Sequence, residues 1–405
     1  MRPKKILGLS VGIALGLVTM LPVQSGGSSA GRLSEIRVLP FTRGLDRVKL
    51  SPDGSQLFLL KTSEQINGTD VTETHRLEVY DVRSSILLAS VGLPTAQAPV
   101  AEPWFVMDRL HVCDHGKYLL SYVDNGKFLL LDGRNYQMLS EIAFSLPTMR
   151  SGEEIVLNSA CAANASTAVF ELLHAPSPIA AVRVFDLDSG KQVIQADLEL
   201  TPRREMNIDV SPSGTYAAFV KESRPAEADA TRDDDLAIIE LQNKTIIHPV
   251  HTGMHQVQVA FIGDTEIAVA SSDTGSSPAD TLINLFDIAS GVVVKRLSAL
   301  PQLARAPIGS SADGRLIMGY TGTESLIGDA LQIKNAHFTI WDRKNGKIIA
   351  QSPKLHVSKT STQPLNLNPW STTNDVRPVI LFNQAGNAVV VTGYLAEPVE
   401  VYALK

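Results

Sequence analysis

The sequence predicts an all-β chain folded as a seven-bladed β-propeller, with four antiparallel strands in each blade. Three observations lead to this fold class: a turn motif that recurs about every 50 residues, a second strand motif within each repeat, and no helical periodicity after residue 25. Repeats of β structure bury their faces against neighbouring repeats, so a ring of them closes on itself. The chain after residue 25 is therefore predicted to be one domain.

The turn motif marks each repeat and is clearest as SPDG at residues 51–54. Proline presets the first corner of such a turn, and a terminal glycine takes the left-handed conformation that closes the hairpin. An apolar run typical of a β-strand follows each turn, for example QLFLLK after the first. In strict or loose form the motif ends at seven positions, most of them 49 or 50 residues apart: Gly54, Gly116, Ala165, Gly214, Asp264, Gly314 and Gly386.

The second motif is an apolar strand that ends in an acidic residue, such as LEVYD at 77–81. A tight turn and another apolar strand follow, which gives four strands per repeat. Because the acid recurs once per repeat, we interpret it as a turn residue that accepts backbone N–H bonds, not as a catalytic group. The acids are Asp81, Asp132, Asp186, Glu240, Asp287 and Asp342.

The two ends of the chain are predicted to meet in the last blade. The seventh repeat supplies only three strands before residue 405, and residues 34–42, SEIRVLPFT, match the fourth strand of a repeat. We therefore expect the N-terminal strand to complete the last blade and remove an open sheet edge.

Residues 1–25 are predicted to be a signal peptide. MRPKK is basic, residues 6–23 are nearly all apolar, and small residues follow, with a cleavage site after Ser25. An uncleaved anchor helix is the alternative, since 18 apolar residues can just span a bilayer. The predicted location is periplasmic or extracellular, and residues 26–405 form the propeller.

Composition excludes some classes of function. The chain is 44% hydrophobic and 19% charged, as globular proteins are, and its net charge of −6 argues against a nucleic-acid partner. The two cysteines, Cys113 and Cys161, lie near the inner strands of neighbouring repeats. They could form a disulfide in an exported protein, or both could be buried free thiols.

Residues 50–94 carry a family resemblance. LSPDGSQLFLLKTS, followed by LEVYDVRSSILLASVGLP, resembles the YVTN-type propeller repeat, a relative of the WD40 repeat. The other repeats match more loosely: the third lacks the turn glycine, and the fourth has Glu240 in place of aspartate. The resemblance implies an often exported seven-bladed propeller but no single activity, because this fold hosts many.

The candidate binding residues lie where the loops and the entrances of the inner strands share one face. Four insertions are predicted to be long loops there, at residues 61–76, 222–235, 322–336 and 354–377, and such loops either bind partners or are surface without a function. Nine residues before the turn, four consecutive repeats carry polar residues: Glu205, His255, Arg305 and Arg377. The His and Arg side chains could hold an anionic group or an acidic loop of a partner, or they could be solvated residues paired with nearby acids.

Two tryptophans add to this candidate surface. Trp104 and Trp370 each follow a proline in an inserted loop, either packed on the blade beneath or exposed as a binding hot spot. A metal site is not predicted, because His248, His251 and His255 are close in sequence but fall on different strands of the predicted fold.

The sequence favours a binding or scaffold module that holds a protein, peptide or glycan on its loop-rich face, without a cofactor. It contains no GxSxG or HExxH motif. Propellers with similar repeats suggest a second hypothesis, an enzyme of the lactonase or quinoprotein-dehydrogenase kind, which would use the channel mouth, where Glu205 is the one acid. A third hypothesis is a subunit of an envelope complex. Membrane contact is expected only if the N-terminal segment is uncleaved.

Overall fold

Strands follow one another through the described part of the chain. The computed structural model describes residues 31–32, 34–39, 45–67, 70–94, 97–99, 104–106, 109–124, 126–145, 154–175, 179–199, 208–222, 234–254, 257–271, 282–299, 303–327, 330–353, 379–392 and 399–404. The strands of the N-terminal half are β1 (Gly31–Arg32), β2 (Ser34–Leu39), β3 (Leu45–Leu50), β4 (Gln56–Asn67), β5 (Asp70–Asp81), β6 (Leu87–Gly92), β7 (Gln97–Pro99), β8 (Trp104–Val106), β9 (Leu110–Cys113), β10 (Tyr118–Asp124), β11 (Lys127–Asp132), β12 (Met138–Ala143), β13 (Glu154–Cys161), β14 (Thr167–Ala175), β15 (Ile179–Asp186) and β16 (Lys191–Glu199). Those of the C-terminal half are β17 (Ile208–Val210), β18 (Tyr216–Glu222), β19 (Asp234–Glu240), β20 (Thr245–Met254), β21 (Val257–Ile262), β22 (Glu266–Ser271), β23 (Ile283–Asp287), β24 (Val293–Leu297), β25 (Leu303–Ser310), β26 (Leu316–Ile327), β27 (Ala330–Asp342), β28 (Ile348–Gln351), β29 (Val379–Phe382), β30 (Ala388–Thr392) and β31 (Val399–Ala403).

Six sheets are blades, each built around four strands that are consecutive in the chain. Their cores are β3 to β6, β9 to β12, β13 to β16, β17 to β20, β21 to β24 and β25 to β28, numbered here as blades 1 to 6. Of the four core strands in each blade, the first lies nearest the axis of the ring. The remaining sheet, the composite sheet, has the order β2-β31-β30-β29. It therefore combines the N-terminal and C-terminal parts of the chain.

The predicted fold class, seven uniform four-stranded antiparallel blades, is wrong. The blades made from consecutive strands number six, not seven, because the seventh sheet borrows a strand from the other end of the chain. Three blades also carry a fifth strand: β7 pairs with β5, β8 with β13 and β1 with β28, the last two in parallel. These added strands have two or three residues, too few to produce a periodicity that the sequence could reveal.

The composite sheet closes the ring. Strand β2 pairs antiparallel with β31, as expected for residues 34–42, and Val399 and Val401 of β31 are buried. On the other side of the junction, the backbone N–H of Ala385 donates to the carbonyl of Pro52 in blade 1 at 3.0 Å. The sheet thus joins blade 6 to blade 1 in the ring and leaves β31 without an open edge.

The core lies between neighbouring sheets, and both faces of each inner strand pair are buried. In β4, Phe58 and Leu60 pack toward blade 2, whereas Leu57 and Leu59 pack toward the composite sheet. This two-sided burial explains why the second strand of a repeat reads as a continuous apolar run and not as an alternation. Between blades 2 and 3 the core is rich in aromatic rings, which meet mostly edge to face: Tyr122, Phe128, Phe144, Phe170 and Phe185.

The SPDG turn has the predicted conformation. Gly54 has a φ of 75°, which favours glycine, and its N–H donates to the carbonyl of Ser51 at 2.9 Å. The Asp53 carboxylate accepts the N–H of Ser55 at 3.0 Å, and the Ser51 hydroxyl accepts the N–H of Gln56 at 2.9 Å. Side chains of the motif therefore satisfy the backbone of the turn.

The recurring acids are turn residues, which confirms their predicted role. Asp81 Oδ1 accepts the N–H of Ser84 at 2.6 Å, and Asp287 Oδ1 accepts the N–H of Ser290 at 2.8 Å. Asp342 Oδ1 accepts the N–H of Asn345 at 3.0 Å. Each of these acids fixes the turn between the third and fourth strands of its blade.

A disulfide joins Cys113 to Cys161, with their Cα atoms 5.6 Å apart. The two residues end β9 and β13, so the bond links the inner strands of blades 2 and 3. Of the two alternatives that the sequence leaves open, the structure selects the pair over the free thiols.

In the described ranges, no helix is long and apolar enough to cross a membrane. Residues 1–25, the predicted signal peptide, fall outside them.

Candidate functional site

The candidate site is the face of the ring that carries the loops between second and third strands and the connections between blades, called here the loop face. Two of the loops predicted on it, 61–76 and 322–336, are strands. β4 pairs with β5 up to Asn67 and Asp70, and β26 pairs with β27 up to Ile327 and Ala330. The first of these segments, residues 61–76, has few apolar residues and therefore lacks the alternation that reveals a half-buried strand. The available signals were asparagine and glycine at 67 and 68, residue types common in hairpin turns, and the alternation LQIK at residues 331–334.

Both hairpins extend beyond the inner strands of their blades. Among the described residues, the pairing of β3 with β4 reaches Lys61 and that of β25 with β26 reaches Gly322. The remaining residues of each hairpin therefore rise from the body of the ring at the loop face. The other two predicted loops, 222–235 and 354–377, lie mostly or wholly outside the described residues.

Two of the six predicted binding residues fall in the described part. Arg305 lies on β25 opposite Tyr320, and Trp104 lies on β8 opposite Ile155. Both stand near the loop-face end of an inner strand, in blades 6 and 3 respectively. Glu205, His255, Arg377 and Trp370 lie outside the described residues. The prediction that Trp104 is in a loop is wrong, because β8 adds to the inner edge of blade 3.

Polar side chains on the inner strands link neighbouring blades around the central axis. His111 on β9 and Ser159 on β13 share a hydrogen bond of 2.8 Å between Nε2 and Oγ. Ser310 on β25 donates its hydroxyl to the carbonyl of Phe261 on β21. These residues do not stand nine positions before a turn, so the comparison of those positions between repeats could not reveal them.

Asp209, on the inner strand β17, is an acid whose carboxylate links two blades in this layer. Its carboxylate accepts the N–H of Phe261 in blade 5 at 2.7 Å and the N–H of Val210 at 2.9 Å. Burial raises the pKa of Asp209 to about 6, although those hydrogen bonds and the charge of Lys49 in blade 1 act to lower it. Part of the side chain remains accessible, but protein surrounds the carboxylate and withholds most of its hydration.

The histidines near residue 250 do not converge. His251 lies on β20 and its Nδ1 is 2.8 Å from Asp235 Oδ1 on β19. His248 lies on the same outer strand, β20, and His255 is outside the described residues. Within the described ranges, no group of three or more His, Cys, Asp or Glu residues is placed to hold a metal ion.

Comparison with known proteins supports the architecture. No protein-family model and no curated protein matches this sequence. Among solved structures, the chain is similar to the β-propeller domain of Cps50 (Swd1) from Myceliophteria thermophila, with a TM-score of 0.53 and 12% identity. The similarity covers 92% of this chain and 100% of that one. The fold is a β-propeller. At this identity the likeness carries the fold and no activity.

Proposed function

We propose that this chain is an exported binding module that holds a protein or peptide partner on its loop face. The observation that carries this proposal is the pair of long hairpins, β4–β5 and β26–β27. Because blade 6, the composite sheet and blade 1 follow one another in the ring, the hairpins stand on either side of the composite sheet. A rigid ring with two projecting hairpins is suited to binding a partner between them.

The hairpins also offer backbone groups to a partner. Beyond the reach of their neighbouring strands, β26 and β27 pair with each other from Thr323 to Lys334, and no other strand in the described residues pairs with this section. In the first hairpin the short strand β7 already covers part of β5, from Asp70 to Thr72. An exposed strand edge can accept an extended peptide by main-chain hydrogen bonds.

Export is part of the proposal and draws on two features. The N-terminal segment has the order of a signal peptide, and the Cys113–Cys161 disulfide is of a kind that persists in oxidising compartments. The resemblance of residues 50–94 to YVTN-type repeats points the same way. The partner would then be a component of the envelope or of the extracellular space.

Shortening the hairpins tests the binding role. One variant replaces residues 324–333 by an Asn-Gly turn, a second shortens the β4–β5 tip in the same way, and a matched control alters the turn at residues 83–85 on the opposite face. Partners are first identified by crosslinking in the native envelope fraction, and each purified partner is then titrated against all variants. We expect at least tenfold weaker binding when either hairpin is shortened and unchanged binding for the control. Equal binding by all three variants would reject the loop face as the binding surface.

Elemental analysis and an absorbance spectrum of the natively purified protein test the enzyme hypothesis separately. Stoichiometric metal or a chromophore would favour the lactonase-like or dehydrogenase-like alternative.

A further inference from the structure

A polar pair is buried at the junction of blades 3 and 4. Asn158 on β13 and Glu171 on β14 are directly opposite each other in the strand register, and their exposed fractions are 1% and 0%. Asn158 Nδ2 donates to Glu171 Oε2 at 2.7 Å. Val156 and Ala160 flank Asn158 on its strand, Val169 and Leu173 flank Glu171, and all four belong to the apolar core shared with blade 4.

Two buried acceptor atoms of this pair lack a hydrogen-bond donor. Glu171 Oε1 and Asn158 Oδ1 are both buried, and neither has a hydrogen-bond partner in the described part of the chain. Both atoms are acceptors when Glu171 is ionised, so neither can satisfy the other. A single proton on Oε1 would convert one acceptor into a donor for the other and so satisfy both atoms.

We propose that Glu171 holds a proton in the folded chain and donates it from Oε1 to Asn158 Oδ1, closing an acid–amide ring of two hydrogen bonds. The proton comes from solvent and neutralises the carboxylate, so no charge is buried in the core. When the proton leaves, the junction of blades 3 and 4 contains an uncompensated charge and loosens. The pair is thus a proton-binding site that makes this junction sensitive to pH.

Burial raises the pKa of Glu171 to about 7, against the lowering effect of the Asn158 hydrogen bond. The charged groups nearby do not supply the missing hydrogen-bond donor. Asp209 on β17 bonds to blade 5, away from the pair, and Asp235 on β19 bonds to His251. The other titratable or charged residues on the strands packed around the pair are Glu154 on β13, His174 on β14, Arg183 and Asp186 on β15, Tyr216, Lys221 and Glu222 on β18, and Asp234 and Glu240 on β19.

The direction of the pH effect follows from proton linkage. The folded chain keeps a proton that the unfolded chain loses at an ordinary glutamate pKa, so stability falls as pH rises from the unfolded pKa through the folded one. Once Glu171 has lost its proton in both states, above about pH 8, this contribution no longer changes with pH. Between about pH 5 and 7 the unfolding constant should therefore rise by up to about tenfold per pH unit.

The test measures protonation and stability on the whole mature chain. In a side-chain carboxyl-labelled sample, the Glu171 signal, assigned from its loss in Glu171→Gln, should titrate near neutral pH. Urea unfolding from about pH 5 to 9 should show a fall in stability in the unaltered chain and a smaller fall in Glu171→Gln, whose amide can complete the ring with Asn158 and in which the contribution of Asp209 remains. The matched control, Asp209→Asn, should keep the part of the slope that belongs to Glu171.

Two results would overturn the proposal: a Glu171 signal that titrates like an ordinary glutamate, or a pH slope that persists unchanged in Glu171→Gln. If that variant fails to fold, the infrared difference spectrum of the unaltered chain between about pH 6 and 9 decides. Loss of a buried carboxylic-acid band on raising the pH supports the acid–amide ring, and absence of such a band refutes it.

Discussion

Reducing the disulfide is a direct test of how blades 2 and 3 are held together. Cys113 and Cys161 are 48 residues apart in sequence, and their bond restricts the unfolded chain. A chain-entropy model for a loop of that length gives about 4 kcal/mol of stabilisation at 25 °C. That is a large share of the 5–15 kcal/mol typical of a folded domain. We therefore expect the reduced protein to fold but to unfold at a clearly lower urea concentration.

The assay compares urea unfolding of the oxidised chain, the reduced chain and a double variant, Cys113→Ala with Cys161→Ala. The reduced chain should lose about 4 kcal/mol, and the double variant somewhat more because Cys113 is fully buried and its sulfur leaves a small cavity. Reductant should not affect the double variant, which controls for other effects of the reagent. Two reactive thiols in the unfolded, unreduced protein, or equal stability of the oxidised and reduced chains, would refute this account.

Three further predictions concern contacts between and within blades. Arg343 donates to both carboxylate oxygens of Glu266 across blades 6 and 5. A double-mutant cycle with alanine at each position should therefore give a coupling free energy of about 1 kcal/mol. A coupling free energy near zero would show that solvent screens the pair. The Ser290 hydroxyl and N–H hold the pKa of Asp287 below its usual value, so this turn adds stability above about pH 4 and loses it as the pH falls. In a pH series of unfolding measurements, the stability of Asp287→Ala should therefore depend less on acid than that of the unaltered chain. An unchanged dependence would contradict this role. Deleting the chain through Leu39 removes β2 and should cause aggregation, measured by light scattering, whereas a truncation that stops before β2 should remain monomeric; equal behaviour of the two would contradict ring closure by β2.

Much of the fold could be predicted because each repeat carries the residue types that its turns require. Gly54 and Asp81 stand where a positive φ or a backbone-capping carboxylate is needed, and both positions recur from repeat to repeat. The pairing of residues 34–42 with the last repeat followed from counting strands. The fifth strands could not be predicted, because β1 and β8 add in parallel to strands far away in sequence, and such pairing leaves no local pattern.

The candidate site was less predictable for a physical reason. Arg305 was selected by its distance from a turn, and Trp104 because it follows a proline in a predicted loop. The structure places them on inner strands of two different blades, 6 and 3. The residues that link blades near the axis, such as Asp209 and His111, face neighbours that only the closed ring brings together. The β4–β5 hairpin was read as a loop because residues 61–76 have few apolar residues. In the β26–β27 hairpin the apolar–polar alternation is limited to LQIK at residues 331–334.

The composite sheet also sets the order of events when the chain is made. β2 is among the first segments to emerge during synthesis, and its partner β31 is among the last. Until β31 is made, β2 lacks its partner strand. An incomplete chain therefore remains an open arc of blades with exposed backbone at both ends. We expect the nascent chain to need protection by chaperones until β31 is made, and native resistance to proteases to arise only after residue 403 has emerged.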